Sequence, residues 1–377
     1  MYPKIGILGG GQLGRMLQEK ALEWGLQLYF LDPDKHCSCS IFKDSLTVGS
    51  YKDFNNVMDF GNKMDVISIE IEHVNIEALE VLEKMGKQII PNVNTLKIIQ
   101  NKALQKNMYA KNEIPTSDFH ILESHLDVKS YLSFLPAFQK TQKDGYDGKG
   151  VQYLTEDTLH LALEAPSILE KPVDLEKELA ITFVKSSDGS VVFYPICEMV
   201  FDPILNLVQY LIAPATISND IALNVQEIAL KVSEVIDSIG VFSIEFFLTK
   251  EGDVLVNEMA PRAHNSAHYT IEACNISQFD AQLRTFLNYP IPNIKLNGFS
   301  SMINLIGDED TSGIPNLVGV NDIMIENAYL HLYGKSQTKP GRKMGHLTIL
   351  DDNYEKLVLK TKNILSQVKI VGDHQIT

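Results

Sequence analysis

The chain has 377 residues, 45% of them hydrophobic and 21% charged, with a formal net charge of −15. That length predicts two or three domains, and the composition predicts a soluble globular protein rather than a disordered one. The acidity argues against a general nucleic-acid or anionic-membrane binder, so an anionic ligand must meet a local cluster of Lys and Arg.

The first elements set a βα rhythm. An apolar run, Ile5-Gly6-Ile7-Leu8, precedes Gly9, Gly11 and Gly14 at G-x-G-x-x-G spacing, and a helix-like stretch follows. A second apolar run, "LQLYFLD", ends on Asp32. Strand, glycine turn, helix, strand and acid form the dinucleotide-binding signature, in which the acid takes ribose hydroxyls. Read alone it favours an NAD(P)-dependent oxidoreductase. The alternation continues through "DFNNVMDFGNKM", "DVISIEIE", "IEALEVLEKMG" and "KQIIPN", predicting βαβ units on a parallel sheet. Val93 to about Pro115 reads as one helix, with a domain boundary near Asn92. Cys37 and Cys39 beside His36 lack a second pair of zinc ligands and read as loop residues. Four cysteines with no C-x-x-C pair, and a first strand that leaves no room for a secretory leader, predict a reduced cytoplasmic protein.

From Pro115 to about Ile294 the chain becomes strand-rich, predicting an α+β region with antiparallel sheets. "QKTQKDGYDGKGV" sets Gly145, Gly148 and Gly150 among Lys143, Lys149 and two aspartates. Such a loop, residues 143–151, can close as a lid and bring N–H groups and a lysine onto phosphate. Lys102 and Lys140 precede it. "ILEKPVDLEKEL" offers an extended connection, Glu170-Lys171-Pro172-Val173, able to meet an adenine edge, and then Glu178, able to accept from a ribose.

Val241 to Ser266 is the most informative segment. Two β-prone runs flank "KEGD", and a turn centred between Glu251 and Gly252 sets Glu245 directly opposite Glu258. Opposed carboxylates repel one another. They suit a divalent cation, because Mg²⁺ is held by one or two carboxylates plus substrate phosphates. A register shifted by one residue would turn one of them to water.

After the Pro- and Asn-rich "YPIPNIKLNG" come short strands and a last helix at "NYEKLVLKTKNIL". Lys335, Lys339, Arg342 and Lys343 crowd into nine residues there. Such a cluster suits a phosphate, or is a solvated face.

Taken in order, "GGGQLGRM", "EIE" at Glu70 to Glu72, "KTQKDGYDGKG", "NEMAPRAHNSAH", "SMINLIG" and "KPGRKMGH" resemble the ATP-grasp superfamily, and within it the 5-(carboxyamino)imidazole ribonucleotide synthase family. The likeness runs from Lys4 to about Leu350. It implies an α/β fold, α+β overall: a Rossmann-like preATP-grasp domain (1–92), an ATP-grasp domain (93–295) and a small β-rich C-terminal domain (296–377) completing the ribonucleotide site. It implies a carbon–nitrogen ligase of purine synthesis that carboxylates 5-aminoimidazole ribonucleotide, using ATP and bicarbonate.

By that resemblance ATP meets Lys102, Lys140, the lid residues Gly145, Tyr146, Asp147, Gly148, Lys149, Gly150 and Val151, the connection Glu170, Lys171, Pro172 and Val173, and Glu178, Asn257 and Glu258. Phe201 stands near the nucleotide, where many relatives carry a histidine. Mg²⁺ would sit on Glu245 and Glu258. Tyr146, Asp147, Lys149, Arg262, His264 and Asn265 would line the catalytic space. Gln12, Leu13, Glu70, Lys335, Arg342 and Lys343 would grip the ribonucleotide, which leaves Asp32 as a strand-end turn residue. The resemblance also implies a cytoplasmic homodimer that binds neither nucleic acid nor membrane.

Overall fold

The structure is a computed structural model that describes residues 2–143, 145, 150–319, 321 and 326–376. Tyr146, Asp147, Gly148 and Lys149 of the expected lid lie outside the described residues.

Strands β1 (Ile5–Leu8), β2 (Leu28–Asp32), β3 (Leu46–Val48), β4 (Val66–Ile69) and β5 (Gln88–Ile90) form one sheet in the order β3-β2-β1-β4-β5, all parallel. Helices α1 (Gln12–Glu23), α2 (Phe54–Gly61) and α3 (Ile76–Lys84) connect them. One face of the sheet shares a core with α1 and the other with α2 and α3. Burial on both faces is why β1 and β4 are buried along their whole length. The strand order reverses between β1 and β4, so their carboxyl ends open the crevice where ligands bind in such sheets.

The expected single helix after Asn92 is two, α4 (Val93–Ile99) and α5 (Lys102–Lys111). Asn101 breaks it: its backbone is extended and its side chain accepts from the N–H groups of Ala103 and Leu104, capping α5. Lys102 therefore opens a helix instead of riding along one.

A four-stranded antiparallel sheet follows, built from β6 (Phe119–Leu122), β7 (Ala137–Thr141), β8 (Val151–Leu154) and β9 (Ser167–Glu170) in the order β6-β9-β7-β8. The large sheet contains β10 (Leu175–Lys185), β11 (Val191–Phe193), β12 (Cys197–Phe201), β13 (Val208–Ala213), β14 (Gly240–Thr249), β15 (Val254–Ala260) and β16 (Phe299–Ile306). Helix α6 (Asn219–Val235) covers one face; α7 (Thr270–Ala273) and α8 (Gln278–Leu287) lie on the other. Two small ribbons pair β17 (Thr311–Ser312) with β22 (His374–Gln375) and β18 (Asn316–Val318) with β21 (Lys369–Val371).

The large sheet does not stop at the expected boundary after residue 295. It runs β15-β14-β10-β12-β13-β16-β20-β19, with β11 on β10, taking in β19 (Ala328–Leu332) and β20 (Lys343–Asp351). The ladder between β13 and β16 crosses the linker, with Tyr210 opposite Ile303. A final helix, α9 (Tyr354–Gln367), packs its Leu357 and Ile364 against Ile303, Leu347 and Ile349 of this extension. Helices α1 and α8 meet through Met16, Leu17, Phe279 and Leu283, which seats the parallel sheet against the large one.

Candidate active site

The glycine turn after β1 is already engaged. Glu70, just past β4, accepts from the N–H of Gly11 at 2.5 Å and of Gly14 at 2.6 Å. Asp32 accepts from the N–H of Gly10 at 2.7 Å and of Asp34 at 2.8 Å. A Cβ on Gly9 or Gly11 would collide with the Glu70 side chain. The glycines are needed for the approach of a carboxylate from the neighbouring strand, and that carboxylate takes the N–H groups a pyrophosphate would use. This is the physical case against the dinucleotide reading. Burial raises the pKa of Glu70 above the ordinary carboxylate range, against the donation from Gly14 and Gly11.

The second cluster joins α5 to both antiparallel sheets. Lys102 donates to Glu258 Oε2 at 2.5 Å. Lys106, one turn along the same helix face, pairs with Glu170 Oε1, and Lys140 of β7 pairs with Glu170 Oε2. Ser117 Oγ also donates to Glu170, at 2.8 Å. Burial would push the Glu170 pKa up, but Lys140 and Lys106 outweigh it and bring the carboxyl to about 2. Lys140 further donates to Asn257 Oδ1 at 3.4 Å. These residues enclose a space of only about 10 Å³. The Lys102–Glu258 and Lys140–Glu170 pairs line this cleft.

Glu245 and Glu258 do face each other, by a different route from the expected one. The ladder pairs Leu248 with Val254, Phe247 with Leu255 and Phe246 with Val256, which centres the turn on Glu251. A bulge then leaves Asn257 extra and restores Glu245 opposite Glu258. The bulge has a further effect. It lets two consecutive residues reach site lysines, Asn257 to Lys140 and Glu258 to Lys102. Burial and the charge of Glu258 raise the pKa of Glu245, whereas Lys102 holds that of Glu258 down against burial. On the neighbouring β10, Glu178 lies opposite Phe247, and burial pushes its carboxyl up to about 7.

The chain leaving β15 carries the expected catalytic residues. Arg262 Nη2 pairs with Glu72 Oε1 at 2.7 Å, its Nη1 donates to the carbonyl of Ala263, and its Nε is buried with no hydrogen-bond partner among the described residues. His264 lies with Nε2 3.5 Å from Glu245 Oε1 and Nδ1 2.8 Å from Ser266 Oγ. Burial and then Arg262 lower its pKa to about 3, so the ring is neutral at physiological pH. Gln278, the first residue of α8, accepts from His264 N at 2.8 Å and donates to His264 O at 2.9 Å. Asn265 forms a reciprocal amide pair with Asn304 of β16, at 2.9 and 3.0 Å.

The remaining expected residues fall around these. Gln12 and Leu13 form the first turn of α1. Gly145 is close to Gly150, whose φ of +74° and approach to Thr141 forbid a side chain, and Val151 pairs with Lys140. Lys171 N–H donates to Asp118 O, and Lys171, Pro172 and Val173 link β9 to β10. Phe201 ends β12 and packs on the core beneath the cleft face of the large sheet. Lys335 donates to the carbonyl of Lys343 at 2.7 Å, Arg342 to that of Gln337 at 2.8 Å, and the charge of Lys343 acts on Glu245 and His264. Gly334, beside Lys335, abuts the Arg15 guanidinium, and its φ of +68° favours glycine there. A larger cleft of about 320 Å³ between α1 and β19 contains none of the expected residues. Sequence reasoning missed Lys106, Glu72, Gln278 and Asn304. Of these, Lys106 carried a local signal in its helical spacing from Lys102, and Glu72 and Asn304 lie within the motifs "EIE" and "SMINLIG" without having been given a role.

Two carboxylates suit a cation that arrives with phosphates of its own. Among the described residues no group of three or more His, Cys, Asp or Glu side chains converges as a metal site. No helix of the described residues is long and apolar enough to cross a membrane.

Comparison with known proteins matches three successive family profiles: the ribonucleotide synthetase preATP-grasp domain over residues 2–100, the ATP-grasp domain over 107–279, and the phosphoribosylaminoimidazole carboxylase C-terminal domain over 300–360. The chain is 31% identical to the N5-carboxyaminoimidazole ribonucleotide synthase of Bacillus subtilis, covering 96% of each. It is 34% identical to the chloroplastic phosphoribosylaminoimidazole carboxylase of Vigna aconitifolia, spanning 94% of this chain but 65% of that longer protein. The crystal structure of N5-carboxyaminoimidazole ribonucleotide synthetase from Thermotoga maritima superposes with a TM-score of 0.90 at 37% identity, covering 98% of this chain and all of that one. The Aspergillus clavatus synthase, solved with ADP and 5-aminoimidazole ribonucleotide, gives 0.86 at 31% identity, covering 97% and 99%.

Proposed function

The chain belongs to the N5-carboxyaminoimidazole ribonucleotide synthase family of ATP-grasp ligases, and from that premise we propose that it carboxylates the exocyclic amine of 5-aminoimidazole ribonucleotide at the expense of ATP, with bicarbonate as the carbon source. The observation that carries the reading is the lysine-lined cleft beside the opposed pair Glu245 and Glu258. It joins cations for a polyphosphate to carboxylates for the ion such a ligand brings.

In this reading bicarbonate oxygen attacks the γ-phosphorus of ATP, giving carboxyphosphate and ADP. The amine then takes the carboxyl group as a carbamate, and phosphate leaves. The work of the chain is positioning and charge neutralisation. Lys102 and Lys140 exchange their carboxylates for phosphate oxygens. Glu245 and Glu258 would hold Mg²⁺, which offsets charge between the β- and γ-phosphates when bound. Arg262 presents a fork suited to a planar oxyanion, with Nε unspent. Neutral His264 can donate or accept a hydrogen bond beside it without adding positive charge. Glu178 and the connection from Glu170 to Val173 would hold the nucleoside. Tyr146, Asp147 and Lys149, with the rest of the 143–151 loop, would close over the site and keep water from carboxyphosphate. The ribonucleotide would lie between the first turn of α1, Glu70, and the basic turn with Lys335, Arg342 and Lys343. We further propose a cytoplasmic homodimer, in line with the family resemblance.

The deciding assay is ADP release with added bicarbonate, formate, aminoimidazole ribonucleotide or glycinamide ribonucleotide. Turnover that needs bicarbonate and is stimulated by aminoimidazole ribonucleotide is expected. Stimulation by formate with glycinamide ribonucleotide would instead assign a related ligase activity.

A further inference from the structure

Lys106 is the buried charge that the reaction above leaves without a task. Its side chain is 3% exposed, and so is that of its partner Glu170. A lysine this deep needs a full set of acceptors. It has them: Glu170 Oε1, Thr116 Oγ1 at 2.5 Å and Ser117 Oγ at 3.3 Å. Thr116 Oγ1 in turn donates at 2.6 Å to the carbonyl of Val256, next to Asn257 and Glu258 in the chain. Lys140 differs. It is 18% exposed and reaches between Glu170 Oε2 and Asn257.

One carboxylate thus has two lysines. Of the two, Lys140 is the more exposed and reaches along the cleft to Asn257, so it is the one placed to leave Glu170 for a phosphate. When a triphosphate draws Lys140 away, Glu170 without Lys106 would be an unpaired buried carboxylate facing phosphate, a strongly unfavourable arrangement. We infer that Lys106 is a positioning residue of the nucleotide site: it remains on Glu170 as the permanent counter-charge, so that Lys140 can exchange that carboxylate for a phosphate of ATP. The inference rests on the reading of this cleft as the ATP site.

Calorimetric titration of the full chain with ATP tests it, using wild type, Lys106→Met and Lys106→Met/Glu170→Gln. The single variant leaves Glu170 dependent on Lys140 alone, so ATP binding weakens roughly tenfold or more, while the KM for aminoimidazole ribonucleotide at saturating ATP stays within about twofold. Removing both charges leaves no carboxylate to retain Lys140 and keeps the backbone of the connection that meets the nucleoside, so the affinity recovers at least about threefold from that of the single variant. A double variant as weak as the single one, or a single variant with wild-type affinity, overturns the inference. Wild type that binds no ATP overturns the site reading as well, and so separates the two failures. Lysine side-chain NMR of the unmodified protein gives a readout that does not depend on how the variants fold. On adding ADP the Lys140 resonance is expected to move and that of Lys106 to stay; equal movement of both overturns the inference.

Discussion

Lys140 acts on two carboxylates that end with opposite proton affinities. Glu170 is held at about 2, below its ordinary 4.5. Its contribution to stability is therefore fully present above pH 4.5 and is lost as pH falls toward 2. Glu178 is raised to about 7 by burial, with Lys140 only partly opposing. Its sign is reversed: the fold is favoured below pH 4.5, and that advantage is lost as pH rises from 4.5 through 7. Glu178→Gln should remove this slope. The variant should gain roughly 1–3 kcal/mol over wild type at pH 7.5 and much less at pH 5, read from urea midpoints, while its KM for ATP rises. An equal shift at both pH values would contradict the assignment. Glu258→Gln bears on the cation. It leaves Lys102 facing an amide and the proposed Mg²⁺ with one carboxylate, so ADP release should fall by about 100-fold or more with circular dichroism unchanged. Near-normal ADP release would remove Glu258 from the metal assignment.

At the scale of elements, local rules and tertiary demands part company in identifiable places. Alternation along strands predicts the right carboxylate pair in the β14–β15 hairpin, yet the symmetric turn is half a residue out and the Asn257 bulge makes up the difference. Asn101 splits a run with helical periodicity because its side chain caps α5. Helix α8 does more than pack. Through Gln278 it grips both backbone polar groups of His264. Gln278→Ala should cost about 2 kcal/mol, since it strands a buried donor and acceptor, seen as a lower denaturant midpoint at unchanged slope. It should also lower kcat more than it raises the KM for ATP, because His264 loses its placement while the lysine cleft is untouched. A wild-type kcat would mean that His264 is placed by other contacts.

Across the whole molecule, the proposed ribonucleotide residues come from three distant stretches: the α1 turn, the end of β4 and the basic turn before β20. The α1 turn and the end of β4 meet at Glu70, and the third stretch is carried toward α1 because α1 packs on α8 and the large sheet continues through β16 to β20 and β19. Arg15 lying against Gly334 marks that meeting. Arg342→Ala should raise the KM for the ribonucleotide about tenfold, the equivalent of ~1.4 kcal/mol, and leave the KM for ATP unchanged. An unaltered ribonucleotide KM would place its phosphate elsewhere.

By itself the sequence determined what depends on neighbours a few residues apart: the βα alternation of the first ninety residues, the hairpin, the glycine turn and the basic cluster. Period-2 and period-3.6 patterns and backbone stereochemistry act over that range. Tertiary structure alone decided what the patterns serve. Glu70 reaches Gly11 across 59 positions and turns a dinucleotide signature into a carboxylate-braced loop. Lys106 finds Glu170, Arg262 finds Glu72, and β16 extends a sheet begun on the other side of a linker. Charges and unpaired strand edges demand partners, but nothing local says which residue will supply them; the packing of distant elements does.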